Sequence, residues 1–307
     1  MSSCSPSVKN PRLTCYSKED LETIAKEYNK YYSDEKINCR GKNKAQLWHE
    51  IKKKLSNQCN QEWCWIDQNF INRSKARKIA KSTFRPKMPE NWKKNKYAWL
   101  ATDDINNVME QYENQYPDFI FLGAVPIDCQ TLSFCQLYRF NLPKLYRNGI
   151  KRIGIVFNLD YHYQSGSHWV AVFIDLKDHC DITFYDSYGK KPYKLIDNFM
   201  NKVYQDCQKI PELKGKVTMD YNKKRHQYGY SECGIYSQHY LIQRLKGKSL
   251  KQATNKKIPD KVMNEMRKYL YRNTNSYTNV KKTIAKKTTS KKTTAKKTIA
   301  KKKPSKK

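Results

Sequence analysis

The stretch from Gln227 to Tyr236 reads Gln-Tyr-Gly-Tyr-Ser-Glu-Cys-Gly-Ile-Tyr. Cys233 stands among turn formers. Behind it Gly234 opens a run to Leu245 whose apolar residues at 235, 241, 242 and 245 suit one face of a helix. A cysteine at a helix N-terminus meets unpaired N–H groups and the positive end of the dipole, and both favour the thiolate that attacks carbonyls. Gly234 leaves room for a substrate to approach the Cys233 amide. A thiolate nucleophile needs a general base, and the base needs a partner that fixes its tautomer. His168, in Gly166-Ser167-His168-Trp169, stands at the entrance of an apolar run, and Asp186 follows the next such run in Phe184-Tyr185-Asp186-Ser187. Gln227 lies six residues before Cys233, so its amide and the Cys233 N–H make two donors for an oxyanion.

Taken singly, these residues have ordinary structural roles. A Cys-Gly ahead of a helix is more often a buried structural cysteine, an Asp before Ser is usually a turn former, and a lone Gln carries almost no signal. His162 and His226 lie nearby, and His179-Cys180 is a competing neighbour pair, but it falls in a hairpin turn with no carboxylate placed to orient it and no oxyanion donor. The weight lies in the set.

Three runs rich in apolar, β-branched and aromatic residues, 152–159, 169–176 and 181–185, read as strands. If the last two pair as a hairpin, His168 and Asp186 fall at the same end of a sheet. Ahead of them a helix starts near Thr102 or Asp103 as cap and runs to about Gln115, where Pro117 stops it. A short strand follows at 119–122, and 128–148 is a helix and a loop. Further helices fit 192–209 and 260–271, and a strand fits 216–221. The N-terminal part differs: helices over 18–32 and 43–56, then Trp63, Trp65 and Phe70 among many cations, then a proline-bearing linker over 81–96. The expected division is a helical basic arm domain plus linker at 1–95, a catalytic domain at 96–272, and a disordered lysine-rich tail at 273–307. The expected fold is α+β, a mostly antiparallel central sheet flanked by helices.

The 307 residues hold 61 Lys+Arg against 28 Asp+Glu, a net charge of +33. Residues 281–307 supply 13 lysines and no acid, on a period-five repeat too poor in apolar surface to fold. The first 280 residues remain strongly basic, which implies affinity for polyanions, nucleic acid or acidic protein surfaces. No 18-residue apolar run exists, so no membrane span is expected. Ten cysteines include no Cys-x-x-Cys pair, and Cys59/Cys64 and Cys129/Cys135 are weak as zinc signatures. With no apolar signal region at the N-terminus, the simplest expectation is a reducing intracellular setting with most thiols free.

The order His168, Asp186, Gln227, Cys233 resembles the cysteine proteases that remove SUMO-like modifiers, together with the adenovirus maturation protease. Gly166–Trp169, Tyr185–Ser187, Gln227 and Ser231–Gly234 carry the match, and Trp99-Leu100 with Asp103 and Ile105 resembles the segment that opens that catalytic domain. The resemblance covers about 97–272. Within the family, Gly-x-His-Trp-Val-Ala, Glu-Cys-Gly and a separate N-terminal domain resemble the polyprotein-processing proteases of large nucleocytoplasmic DNA viruses. Asn stands at the position of Asp186 in the African swine fever virus relative. The resemblance implies catalytic His168, Asp186 and Cys233, Gln227 in the oxyanion hole, and Trp99, Trp169 and Gly234 at the substrate. It implies cleavage after Gly-Gly-type sequences through a narrow channel, no metal or organic cofactor, and a role in viral structural polyprotein maturation, in the host cytoplasm or the virion. One rival reading uses the same chemistry to release a SUMO- or ubiquitin-like modifier. Another is an acetyltransferase, disfavoured because such relatives generally carry Glu at the Asp186 position. A third is a basic nucleic-acid-binding virion protein with an inactive protease core.

Overall fold

A computed structural model describes residues 3–8 and 13–273. The lysine-rich segment expected to be disordered lies outside the described residues. Two compact units are present, one formed mainly by residues 88–271 and the other mainly by residues up to 87 together with Arg272.

In the N-terminal unit, α1 (Lys18–Tyr31) and α2 (Lys44–Leu55) begin at Ser17 and Asn43. Each closes a reciprocal cap with the residue three positions on, Asp20 and Gln46. Asn72 caps α3 (Arg73–Thr83). The core is aromatic: Tyr16 stacks on Trp65 at 5.7 Å and meets Phe84 edge-on at 5.0 Å.

The other unit begins with α4 (Thr102–Gln115), whose cap is Ala101 rather than Thr102 or Asp103. Asp104 makes this workable by accepting the Ala101 N–H at 2.8 Å. Then come β1 (Phe119–Pro126), α5 (Leu142–Arg147), β2 (Arg152–Asn158), β3 (Trp169–Asp175), β4 (Cys180–Tyr185), α6 (Lys194–Cys207), β5 (Val217–Tyr221), α7 (Cys233–Leu245), α8 (Leu250–Thr254) and α9 (Asp260–Leu270). The fold is α+β, with one sheet in the order β1-β2-β3-β4-β5. The β2-β3-β4 middle is antiparallel, as expected, but β1 and β5 join it in parallel, so the sheet is mixed. The reason is the connections: the chain crosses back through α5 before β2 and through α6 before β5, and a crossover returns a strand in the same direction.

The middle strands are buried on both faces, which explains their near-continuous apolar sequence. Trp169, Ala171 and Phe173 of β3 join one cluster with α4, α7 and α9, whereas Val170, Val172 and Ile174 join another with α5 and α6. The α7 helix departs from the one-faced pattern. Eleven of its thirteen residues are buried, so it is a central helix and not a surface one. Several of its polar side chains find partners inside: Ser237 donates to Trp169 O at 3.2 Å, Tyr240 to Thr183 Oγ1 at 2.7 Å, and Arg244 to Asp181 at 2.6 Å.

The expectation of mostly free thiols is corrected. Disulfides join Cys4–Cys15, Cys59–Cys64, Cys129–Cys135 and Cys180–Cys207, leaving Cys39 and Cys233 free. Cys180 opens β4 and Cys207 closes α6, and the return of α6 across the sheet sets their Cα atoms 6.5 Å apart. Tertiary packing of that kind leaves no trace in sequence spacing. The expectation of a reducing compartment loses the support it drew from free thiols. No described helix is long and apolar enough to cross a membrane.

Candidate active site

The β3–β4 register pairs Ala171 with Tyr185, so the two strands carry His168 and Asp186 out of the same end of the sheet. Both side chains are buried there, and His168 Nε2 lies 2.7 Å from Asp186 Oδ1. Asp186 Oδ1 also accepts the Tyr188 N–H at 2.8 Å, while its Oδ2 is buried with no partner among the described residues. Asn222 clamps the main chain of Asp186 from both sides, accepting its N–H at 2.9 Å and donating to its carbonyl at 2.8 Å. With Nε2 committed to Asp186, Nδ1 is the ring nitrogen left for the thiol. Cys233 lies near enough to the imidazole to favour its charged form.

Burial by itself pulls His168 toward the neutral form. The hydrogen bond to Asp186 and the neighbouring Cys233 outweigh it and hold the imidazole raised to about 9. A sulfur beside an imidazolium at a helix N-terminus is the arrangement of a thiol nucleophile with its proton carrier. Cys233 is the first residue of α7 and is 2 % exposed. Its helix-opening N–H is one of the donors that no preceding turn can satisfy.

Polar contacts hold the loop leading into Cys233. Glu232 accepts from Ser231 Oγ at 2.8 Å and from Asn264 Nδ2 at 2.6 Å. Arg267 of α9 donates to Ser231 O at 3.2 Å and to Ala98 O at 2.8 Å. Asp260 takes the N–H groups of Tyr228 and Gly229 at 2.9 and 2.7 Å. Gln227 is fully buried. Ser187 Oγ donates to its Oε1 at 2.6 Å, which turns the amide so that Nε2 donates to Gly229 O at 3.0 Å and keeps a second N–H to offer.

His168, Asp186 and Cys233 therefore meet in one buried corner, and Gln227 is tied to the residue next to Asp186. Trp99 is 45 % exposed and lines a cleft of about 620 Å³ with Gly166 and Trp169. Trp169 itself is buried, and its indole donates to Leu100 O at 2.9 Å. A Cβ on Gly234 would stand 2.9 Å from Leu100 Cδ1. The space at Gly234 thus belongs to Leu100 and is not open for a substrate. Trp169 and Gly234 both fix Leu100, which sets its neighbour Trp99 at the mouth of the cleft. Sequence reasoning missed Ser187, Tyr188, Asn222, Asp260 and the Glu232–Asn264–Arg267 group. Only Ser187, next to Asp186, and Glu232, next to Cys233, stood inside a recognisable motif. Among the described residues no group of histidines, cysteines and carboxylates could hold a metal ion. The corner is built for nucleophilic attack on a carbonyl, with a proton carrier and oxyanion donors at hand.

The family described as the Ulp1 protease family, C-terminal catalytic domain, matches residues 150–297. A protein of Acanthamoeba polyphaga mimivirus named as a thiol protease is 34% identical over 277 residues, covering 85% of this chain and 89% of that protein. An African swine fever virus protein named a SUMO-1 cysteine protease is 27% identical over 196 residues, covering 58% of this chain and 70% of that protein. The crystal structure of an African swine fever virus protease shares the fold, with a TM-score of 0.66 at 22% identity, covering 88% of this chain and 96% of that one.

Proposed function

The chain belongs to the Ulp1 protease family and is a cysteine peptidase, and we propose that it is an endopeptidase cleaving after Gly-Gly-type sequences in the maturation of a viral structural polyprotein. The observation that carries the reading is the 2.7 Å bond between His168 Nε2 and Asp186, which leaves the other ring nitrogen to Cys233 in a buried corner.

Cys233 Sγ attacks the scissile carbonyl carbon and the C=O π pair moves onto oxygen. The second N–H of Gln227 Nε2 and the Cys233 N–H receive that charge; losing one such donor costs on the order of 3 kcal/mol in the barrier. The tetrahedral intermediate collapses, the C–N bond breaks, and His168 gives its proton to the leaving amine. The neutral imidazole then takes a proton from water, whose oxygen attacks the thioester and restores Cys233. Asp186 holds the ring through Nε2–H in both halves of the cycle.

Trp99 over the cleft supports an extended, small-residue segment at the scissile bond. The name of the African swine fever virus relative favours a second reading, release of a SUMO-like modifier, since a Gly-Gly end suits the same cleft. The net charge of +33 and the cations of α3, Arg73, Arg77 and Lys78, support a nucleic acid or acidic protein partner that concentrates the enzyme on its substrate. Host cytoplasm or the virion is the proposed setting.

A Gly-Gly-x peptide library set beside SUMO– and ubiquitin–fluorophore conjugates, wild type against Cys233→Ala, separates the readings. Peptide cleavage lost in Cys233→Ala, with the conjugates untouched, is the expected result. Release of a modifier would make the protein a deconjugating enzyme. No cleavage of either, with or without added DNA, would leave the basic binding protein as the better account.

A further inference from the structure

His168 is held at one point by Asp186, and a ring held at one nitrogen can still swing about that bond. The face of the ring is occupied: the Tyr188 ring lies 4.7 Å from it at 17°. Three further contacts tie Tyr188 to the same corner. Its N–H donates to Asp186 Oδ1 at 2.8 Å, the oxygen that holds His168. Its hydroxyl donates to Gly229 O at 3.2 Å, the carbonyl that also takes the Gln227 amide at 3.0 Å. The Arg225 guanidinium lies 5.3 Å from the Tyr188 ring, and Arg225 Nε donates to Gln227 O at 2.8 Å. Arg225 also lies 4.6 Å from the Tyr228 ring, and Lys257 Nζ lies 3.7 Å from that same ring.

We propose that Tyr188 is a positioning residue for the peptidase reaction: its ring, stacked on His168 and with Arg225 beside it, stops the imidazole from swinging and keeps Nδ1 directed at Cys233. The proposal rests on the catalytic reading of His168 and Cys233. Stacking is the contact that matters, because the Tyr188 N–H to Asp186 belongs to the backbone and survives any substitution. The π-face of the phenol also suits the imidazolium better than the neutral ring, so the stack is strongest in the form that must donate the proton. Orientation of a proton carrier acts on the chemical step and not on substrate binding. The hydroxyl bond to Gly229 is long and secondary.

The test uses the full chain and a Gly-Gly-x peptide, with Tyr188→Phe, Tyr188→Trp, Tyr188→Leu and Tyr188→Met beside His168→Ala and Cys233→Ala. Thermal melting reports folding. Alkylation by iodoacetamide at neutral pH, read by mass on the peptide that contains Cys233, reports the thiol–imidazole pair without any substrate. Tyr188→Phe and Tyr188→Trp keep a planar ring and stay within about twofold of wild type, whereas Tyr188→Leu loses about tenfold in kcat at nearly unchanged KM, with Cys233 alkylation slowed in step. Tyr188→Met gives the same answer should Tyr188→Leu fail to fold. Wild-type kcat and alkylation in the folded Leu or Met variant would overturn the proposal, as would equal losses in the Phe and Leu variants. Turnover that survives in His168→Ala or Cys233→Ala would instead overturn the catalytic reading on which it rests.

Discussion

Asp186→Asn separates the two things the carboxylate does for His168, orientation and charge. The imidazole is raised from 6.5 to about 9 against the pull of burial, a preference for imidazolium of about 3 kcal/mol. An Asn keeps an oxygen for His168 Nε2–H and for the Tyr188 N–H. Its nitrogen takes the place of Oδ2, where no partner stands among the described residues. Charge-assisted hydrogen bonds are roughly twice as strong as neutral ones, so about half of the preference should go, some 1–2 kcal/mol or about one pH unit. His168 must be protonated to deliver the leaving amine its proton. Activity therefore falls as pH rises through the value of the imidazole, near 9 in the wild type, and about one unit lower in Asp186→Asn. The assay is kcat/KM on a Gly-Gly-x peptide from pH 5 to 10, with Cys233 alkylation over the same range. Near pH 7 the variant should stay within about threefold of wild type, and near pH 9 it should lose about a further fivefold. A loss equal at every pH, or an alkaline limb that does not move, would refute the argument that Asp186 acts on His168 through its charge.

Ser187→Ala removes the 2.6 Å hydrogen bond that orients the Gln227 amide; kcat should fall about tenfold with KM little changed, and an unchanged kcat would mean that the amide needs no such support. Gly234→Ala drives a methyl to 2.9 Å from Leu100 Cδ1; a loss of about 1–3 kcal/mol is expected by urea denaturation, together with a raised KM as Leu100 moves Trp99, and a KM equal to wild type would break the link from Gly234 to the cleft. His239 of α7 is pulled down to about 4, by burial first and then by Lys246, Lys248 and His226. Between pH 6.5 and 4 the unfolded chain binds a proton that the folded one refuses, so stability falls as pH drops through that window. His239→Leu should lose about 2–3 kcal/mol less than wild type between pH 7 and 4.5, and parallel stability–pH curves would count against a neutral His239.

The residues that could do chemistry were legible because each sits where an element begins or ends. Cys233 opens α7, His168 precedes β3 and Asp186 follows β4, and turn formers mark such places in a sequence. What holds them was not legible. Asn222 reaches Asp186 across 36 residues, and Arg267 reaches Ala98 across 169; an Asn or Arg in a loop or on a helix advertises nothing of this. The strands were found but not their full arrangement, because parallel edges depend on where α5 and α6 cross. The α7 pattern misled in another way. Tyr236, Ser237, Gln238 and Tyr240 look solvent-facing by type, yet each is buried with an internal partner. Gly234 was read as an opening for substrate and is instead the seat of Leu100.

The burial of α7 sets the timescale on which the nucleophile can move. Loops open locally at small free-energy cost, whereas a helix enclosed on nearly every side opens only when the domain itself does. The amides of the α7 interior should exchange their hydrogens with solvent at the rate of global unfolding, and loss of activity on heating should coincide with the melting of the sheet. The enzyme cannot idle with its thiol swung out of reach while the rest stays folded. Any control over it has to act on the walls of the cleft, on access and not on assembly.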